Sequence, residues 1–179
     1  MQALMMDMPL LISSILQHAA RHHGDTHIVS RRVEGDIHRY TYAECELRAR
    51  KLADALAHLG AQPGDRIATL AWNGFRHLEL YYGVSGMGAV LHTVNPRLFP
   101  EQIAYIVNHA EDQYLFFDLT FAPLIEQLGP RMTSVKGFIA MTDREHLPAL
   151  GVPNLMCYED WVGAQSADFE WPVFDERTA

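Results

Sequence analysis

Apolar segments without internal polar alternation recur from Arg66 onward, and each is separated from the next by about ten residues of helical pattern. Strands of this kind are typical of a parallel sheet that is buried on both faces. Right-handed crossovers between them predict a doubly wound, mostly parallel α/β layer with helices on both faces. The strand candidates are residues 67–71, 89–94, 114–117 and 135–141, with a short addition at 155–157.

The first sixty residues carry local folding signals. An amphipathic pattern predicts a helix over residues 9–23. Two strand-like runs, 28–30 and 37–40, flank a turn at Gly35 and predict an N-terminal β-hairpin. Thr41 and Glu44 form a T-x-x-E capping box that starts the next helix.

Helix ends are marked as clearly as helix starts. Gly60 is expected to close the capped helix, and Pro63 prevents its resumption. A further helix is predicted over residues 75–87. Pro100 suits the first turn of the next one, and Asp118 is a candidate N-cap for the one after that.

Charge and cysteine spacing exclude several classes of protein. The formal net charge of −8 disfavours nucleic-acid binding, and the basic pairs Arg31-Arg32 and Arg50-Lys51 are too short for a basic patch. The N-terminus resembles neither a signal peptide nor a membrane span. Cys45 and Cys157 lack metal-ligand or redox spacing, and Cys45 falls on an apolar helix side. We expect a buried thiol at Cys45, and reduced cysteines in a cytoplasmic protein.

Two ligand-binding interpretations fail on spacing. The glycine pattern G-x-x-G-x-G, formed by Gly83, Gly86 and Gly88, lies at the end of a predicted helix. A dinucleotide-binding loop has the pattern G-x-G-x-x-G and precedes its helix. We therefore expect these glycines to serve helix termination and close helix–sheet contact. The chain has ten histidines, but no pair of them has ligand spacing together with a plausible third ligand. The side chains of His22 and His23 point in different directions on a helix, and His77 and Glu79 are two residues apart without an H-E-x-x-H pattern. No metal site is predicted.

Loops at the carboxyl ends of parallel strands are where α/β proteins bind ligands. Two such loops are residues 72–74 and 93–97. Pro96 forces Asn95 into an extended conformation. Arg97 either pairs with a substrate carboxylate or phosphate or pairs with an acidic neighbour, and we expect the acidic neighbour. Asn73 is expected to hold its turn by bonding its own backbone.

No residue qualifies for catalysis. Glu111-Asp112 follows a helix end and is expected to be a solvated corner with ordinary pKa values, because nothing apolar surrounds it. No serine lies in the sequence pattern of a nucleophile elbow, and no Cys–His pattern indicates a cysteine nucleophile. We therefore assign no catalytic, cofactor-binding or metal-binding residue.

Three longer runs carry a family resemblance. Residues 72–83, 86–98 and 102–112 resemble the N-terminal region of fatty acyl-CoA synthetases. Together they are typical of the superfamily of AMP-forming acyl-CoA ligases, luciferases and peptide-synthetase adenylation domains. The string from His92 to Leu98 looks most like the medium- and long-chain acyl-CoA ligase branch, and ligases for short sulfur-containing acids look similar here.

The resemblance implies an acid–thiol ligase. Such an enzyme activates a fatty acid with ATP and Mg²⁺ to acyl-AMP and passes the acyl group to coenzyme A. In the family, the phosphate-binding loop, the aromatic-Gly-x-Thr-Glu stretch, the ribose-binding Asp and the mobile Lys lie downstream. We therefore expect a truncated fragment that is inactive alone. Residues 1–165 would be the first part of the large N-terminal domain, and residues 166–179 a loosely ordered polar tail leading toward the phosphate loop.

The resemblance also implies homo-oligomer formation, through residues 1–40 or through a sheet face that the missing part would cover. The alternative is a self-contained α/β binding or oligomerisation module without catalysis. Exposed aromatic residues between Trp171 and Phe174 favour the fragment. A Rossmann-type nucleotide-binding protein is disfavoured by the absent glycine loop.

Overall fold

The structure is a computed structural model that describes residues 8–178. The first seven residues of the predicted N-terminal interface lie outside the described residues, as does the last residue of the predicted tail. The described elements, in chain order, are α1 (Ile12–His22), β1 (His27–Arg31), β2 (Ile37–Thr41), α2 (Tyr42–His58), β3 (Arg66–Leu70), α3 (Phe75–Gly86), β4 (Val90–Thr93), α4 (Pro100–His109), β5 (Tyr114–Phe117), α5 (Ala122–Leu128), β6 (Gly137–Ala140), β7 (Leu155–Cys157) and α6 (Tyr158–Gly163).

The strands form two sheets. The predicted hairpin is confirmed: β1 and β2 pair antiparallel, with Gly35 in the turn at φ +110°. The main sheet has the order β4-β3-β5-β6-β7, and every neighbouring pair in it is parallel. The reversal of strand order at β3 makes this a doubly wound α/β layer, as predicted.

Helices cover both faces of the main sheet. On one face α4 and α5 pack against alternate residues of β3, β5 and β6, and on the other face α2, α3 and α6 pack against the intervening residues. Phe116, Phe117 and Phe138 are completely buried. The expectation of an uncovered apolar sheet face is therefore wrong for the described residues. Apolar surface is open at other places, among them the outer side of the hairpin and a groove beside the edge strand β4.

Local signals act as predicted at most helix ends. The Thr41 hydroxyl accepts a hydrogen bond from the Glu44 N–H, and the Glu44 carboxylate accepts one from the Thr41 N–H, which completes the capping box. Gly60 follows α2 with φ +86°, and Pro100 is the first residue of α4. Asp118 does not cap α5: a short 3₁₀ turn intervenes, and the side chain is drawn to another backbone group.

Cys45 is free and buried, as expected, and Cys157 is free and buried as well. Across residues 8–178, none of the helices combines the length and the apolar character that a membrane crossing would require.

Of the three glycines in and after α3, Gly88 fits the predicted helix termination, whereas Gly83 and Gly86 make room for another helix and for the tail and not for the predicted contact with the sheet. A Cβ on Gly83 would lie 2.8 Å from Leu52 of α2, so Gly83 permits the close α2–α3 contact. A Cβ on Gly86 would lie 2.5 Å from the ring of Trp171. Gly88 has φ +92°, which only glycine adopts easily.

The tail from residue 166 differs from the prediction. The expectation of exposed aromatic side chains is wrong, because Trp171 and Phe174 are half-buried. Trp171 packs into the notch left by Gly86 and donates its indole N–H to Glu46 of α2 at 3.2 Å. The Glu176 carboxylate accepts a hydrogen bond from the Leu10 N–H at 2.6 Å. The tail therefore lies across the helices and contacts the start of the described chain.

We expect Gly86→Ala to displace Trp171, because the added methyl group would overlap the indole ring. Overpacking of this kind costs about 1–3 kcal/mol of unfolding free energy. Urea unfolding followed by tryptophan fluorescence measures both the loss of stability and the red shift of a more exposed indole. Gly163→Ala is the matched control, since a Cβ there meets nothing within 4 Å. Equal effects from the two variants would contradict the packing role of Gly86.

Candidate functional site at the carboxyl ends of the strands

The last residues of three parallel strands lie side by side under the hairpin. Leu70 of β3 pairs with Phe117 of β5, and Phe117 pairs with Ala140 of β6. The loops that follow these residues surround a small cavity of about 40 Å³, which the hairpin covers. A wider groove of about 430 Å³ lies alongside, between β1 and the start of α3. This is the edge of the sheet where ligands of α/β proteins bind.

Asp118 connects two of these loops. It follows β5 directly, and its Oδ2 atom accepts a hydrogen bond from the backbone N–H of Trp72, beyond the end of β3, at 2.6 Å. The Trp72 indole donates to Thr120 Oγ1 at 3.3 Å, and its ring centroid lies 5.2 Å from that of Phe121. Burial raises the pKa of Asp118 to about 6, although the Trp72 N–H and Arg76 act in the opposite direction.

Arg76 is the central charge of the site. It lies in the first turn of α3 and is 96% buried, with a relative exposure of 4%. Its Nε atom donates to Glu159 at 2.7 Å, and its Nη1 atom donates to Glu34 at 2.8 Å and to the carbonyl of Met141 at 2.7 Å. Arg76 therefore joins the hairpin turn, the end of β6 and the start of α6.

A second arginine extends the network toward α2. Arg48 donates through Nε to Glu79 at 2.7 Å and through Nη2 to Glu159 at 2.9 Å. The Tyr158 hydroxyl donates to the other oxygen of Glu79 at 2.7 Å. Glu79 is completely buried, and this burial raises its pKa even though Arg48 and Tyr158 favour the charged form.

The carboxylate of Glu34 completes the cluster. Burial alone would raise its pKa, but the backbone hydrogen bond and the contact with Arg76 outweigh burial, so the pKa of Glu34 is lowered. The Thr142 hydroxyl also donates to Glu34, at 3.0 Å. The opposing charges are thus paired within the cluster, which suits a rigid support better than a general acid or base.

His77 lies next to this cluster and is likewise held internally. Its Nδ1 atom is 3.2 Å from the Trp72 carbonyl and its Nε2 atom is 3.1 Å from Thr69 Oγ1. The tautomer with a proton on Nδ1 satisfies both contacts, because the Thr69 hydroxyl then donates to Nε2. Burial lowers the pKa of His77, so the ring is uncharged at neutral pH.

The structure assigns different roles to the loop residues that the sequence singled out. Asn73 is exposed and makes no side-chain hydrogen bond within residues 8–178, so the predicted turn contact is wrong. Arg97 is also exposed and has no ion pair in that part of the chain, so the predicted acidic neighbour is wrong as well. The backbone N–H of Arg97 instead donates to Asn95 Oδ1 at 3.0 Å, which makes Asn95 the turn-forming residue.

The burial of Asp112 contradicts the prediction of a solvated corner. Asp112 is completely buried and its Oδ2 atom lies 2.8 Å from Nδ1 of His92, so the predicted solvated corner holds for Glu111 but not for Asp112. Glu111 adopts φ +54°, and this turn directs the next side chain inward. Burial raises the pKa of Asp112, while His92 opposes the shift.

Sequence reasoning missed Arg76, Glu34, Glu79 and Asp118 as a connected set. The sequence contains a hint of two of them, because Arg76 and Glu79 are the charged residues in a largely apolar helical segment from Phe75 to Val84. Their partners lie 31 to 83 residues away, and no local pattern identifies such partners. Within the described range 8–178, no three His, Cys, Asp or Glu side chains are grouped in a way that could hold a metal ion.

We expect Arg76→Met to lower the free energy of unfolding by about 3–5 kcal/mol, because the buried carboxylate of Glu34 would lose the arginine that contacts it at 2.8 Å. Glu159 would keep its ion pair with Arg48. Urea unfolding at pH 7 measures the change. Arg97→Met is the matched control: the same replacement at an exposed position without an ion pair should change stability by less than about 0.5 kcal/mol. Similar losses at both positions would show that the Arg76 ion pairs do not support the fold.

The chain is similar in sequence to known proteins over almost its whole length. The sequence profile of a family described as AMP-binding enzyme matches residues 16–160. Over 175 residues the chain is 52% identical to 3-methylmercaptopropionyl-CoA ligase of Ruegeria lacuscaerulensis, covering 98% of this chain and 32% of that protein. It is 47% identical to medium-chain-fatty-acid–CoA ligase of Ectopseudomonas oleovorans, with the same coverage. The chain thus spans about a third of the length of the curated relatives it matches.

A solved structure shows the same fold at much lower sequence identity. The crystal structure of the anthranilate CoA ligase AuaEII in complex with anthranoyl-AMP matches with a TM-score of 0.81 and 18% identity, covering 99% of this chain and 32% of that one. The sheet order, the covered faces and the family match over most of the chain agree with one another. The chain belongs to the family of AMP-binding enzymes.

Proposed function

We propose that residues 1–165 are the first part of the large N-terminal domain of an AMP-forming fatty acyl-CoA ligase, and that residues 166–179 lead toward its phosphate-binding loop. The parent enzyme would activate a medium- or long-chain fatty acid with ATP and Mg²⁺ and transfer it to coenzyme A in the cytoplasm. The identity of 52% and 47% to two acyl-CoA ligases, across 98% of the chain, carries this proposal.

The geometry supports a scaffold role for this part of the enzyme. Asp118 binds the Trp72 N–H between the ends of β3 and β5, and Arg76 joins the end of β6 to the hairpin and to α6. No residue of this chain is assigned to the chemical step. The chain would contribute a rigid sheet edge, and residues elsewhere in the parent enzyme would contribute the catalytic groups.

A chimera tests the proposal directly. The matching third of the Ectopseudomonas oleovorans ligase is replaced by this chain, and acyl-CoA formation is measured with C4 to C16 fatty acids and with 3-methylmercaptopropionate. We expect activity within about tenfold of the parent ligase, because a scaffold of the same fold should keep the catalytic residues in position. The isolated chain should give no ATP–pyrophosphate exchange with Mg²⁺.

The same chimera carrying Arg76→Met should lose more activity than the chimera carrying Arg97→Met, because Arg76 joins the hairpin turn, the end of β6 and the start of α6. A folded chimera without activity on any acid in the series would contradict the parent-ligase proposal. Exchange by the isolated chain, after removal of any contaminating ligase, would contradict the inactive-fragment proposal. That result would favour a self-contained module instead.

We also propose that the chain forms a homo-oligomer through the outer face of the hairpin, within the N-terminal segment 1–40. Val29 and Ile37 are each 51% exposed on this face, beside Arg31 and Arg39. Exposed aliphatic side chains on a two-stranded sheet are typical of a surface that another element covers. Pairing with a second copy would remove both of them from water.

We expect the chain to elute as a dimer in size-exclusion chromatography with light scattering at high protein concentration. Replacing Val29 and Ile37 by Glu should convert it to a monomer, since burying these carboxylates is unfavourable. Leu47→Glu is the control, because Leu47 is exposed to a similar extent, at 47%, on α2. A monomeric starting chain, or a dimer that survives the double substitution, would rule out this interface.

A further inference from the structure

Two histidine rings lie next to each other on the outer side of α1. His18 and His22 are one helical turn apart, and their ring centroids are separated by 4.5 Å with the ring planes inclined at 42°. Both residues are exposed. Residues four apart on a helix share one face, so the two imidazoles reach the same point of the surface.

The helix that carries this pair is held from its opposite side. Leu16 of α1 is only 1% exposed and belongs to a buried cluster with Ala49 of α2 and Phe75 of α3. This packing fixes the rotation of α1 about its axis, and with it the direction in which the two histidines project. A ligand of the pair would therefore have to order only two side chains, which keeps the entropic cost of binding small.

The ring nitrogens of His18 and His22 are not used by the rest of residues 8–178. Other histidines of the chain are engaged: Nδ1 of His92 lies 2.8 Å from Asp112, and Nδ1 of His146 lies 2.6 Å from Asp143. A neutral imidazole has one nitrogen lone pair that can bind a ligand. His18 and His22 thus present two such lone pairs side by side to an external group.

The separation of the rings fits a shared metal ion. Imidazole nitrogen binds Zn²⁺ at about 2.1 Å, which places the centres of two rings on one ion about 4.5–5 Å apart. The four-residue spacing is also the one by which two histidines on a helix bind zinc in an H-E-x-x-H motif. His23 fits less well, because its ring centroid lies 6.1 Å from that of His18.

We propose that His18 and His22 chelate a transition-metal ion of the Cu²⁺, Ni²⁺ and Zn²⁺ class, with water in the remaining coordination positions. Imidazole suits these ions, whereas Mg²⁺ and Ca²⁺ prefer oxygen ligands. Residues 8–178 hold no group of three His, Cys, Asp or Glu side chains that could bind a metal, so the site keeps open positions and the ion exchanges readily. An ion bound to both rings links successive turns and stabilises the end of α1.

The test is calorimetric titration of the tag-free chain with Cu²⁺, Ni²⁺, Co²⁺ and Mg²⁺. We expect one ion per chain, with affinity that falls from Cu²⁺ to Ni²⁺ to Co²⁺, because nitrogen sites follow this order. Mg²⁺ should not bind. Electron paramagnetic resonance of the Cu²⁺ complex should show splitting from two imidazole nitrogens. The measurement needs no substrate, so its failure would leave the parent-ligase proposal unaffected.

His18→Gln and His22→Gln should each weaken Cu²⁺ binding by about tenfold or more, because each variant leaves a single ligand in place of a chelate. His109→Gln is the matched control: His109 is exposed at the end of α4, and its ring stacks on Tyr105 one turn earlier. Its removal should leave the affinity unchanged. Far-UV circular dichroism checks that each variant is folded.

Binding that persists in both single variants would mean that the ion is held elsewhere on the chain, and the proposal would be wrong. It would also be wrong if His23→Gln weakened binding as much as His22→Gln, since the ligands would then be a histidine-rich stretch and not the pair on one helix face. A chain that binds neither Cu²⁺ nor Ni²⁺ would overturn the site outright.

Discussion

The ion pairs of Arg76 are the interaction on which the arrangement of this chain depends. A guanidinium group with only 4% exposure is unfavourable unless carboxylates and carbonyls surround it. Here its contacts come from the hairpin turn, the end of β6 and the start of α6. These segments are far apart in sequence, so the pairing can form only when the whole sheet and its covering helices are assembled.

The β1–β2 hairpin is held in place by contacts with Arg76 and with the start of α3. A two-stranded hairpin is marginally stable alone, and its outer face is exposed here. Glu34 in its turn binds Arg76, the hydroxyl of Ser30 accepts a hydrogen bond from the Phe75 N–H, and His38 stacks on Phe75 with ring centroids 3.8 Å apart. The hairpin is thereby attached to the beginning of α3, and it covers the strand ends because it is attached there.

The elements of the fold could be predicted from the sequence because their signals are local. Strands buried on both faces appear as uninterrupted apolar runs, and the Thr41–Glu44 capping box lies within four residues. The position of Trp171 could not be predicted in this way. Its notch depends on Gly86, and its hydrogen-bond partner Glu46 is 125 residues distant. A polar segment with isolated aromatic residues has the same local pattern whether or not it packs.

The candidate site was harder to predict for the same reason, and also because charged residues are expected to be exposed. Glu79 and Asp112 are both completely buried, and each depends on a partner from another element. For Asp112 the deciding feature is a backbone one, the positive φ of Glu111, which reverses the direction expected from a helix end. Sequence periodicity carries no information about such a turn.

Asp112 and Asp118 show how one strand can carry two buried carboxyl groups with different consequences. They lie at opposite ends of β5, and burial raises the pKa of both. Asp112 lies 2.8 Å from Nδ1 of His92, so its carboxyl group has a side-chain partner on the edge strand β4. Asp118 instead accepts a hydrogen bond from the backbone N–H of Trp72, in the loop that follows β3. The buried carboxyl group before β5 therefore connects this strand to a side chain of the edge strand β4, whereas the one after β5 connects the backbones of two loops.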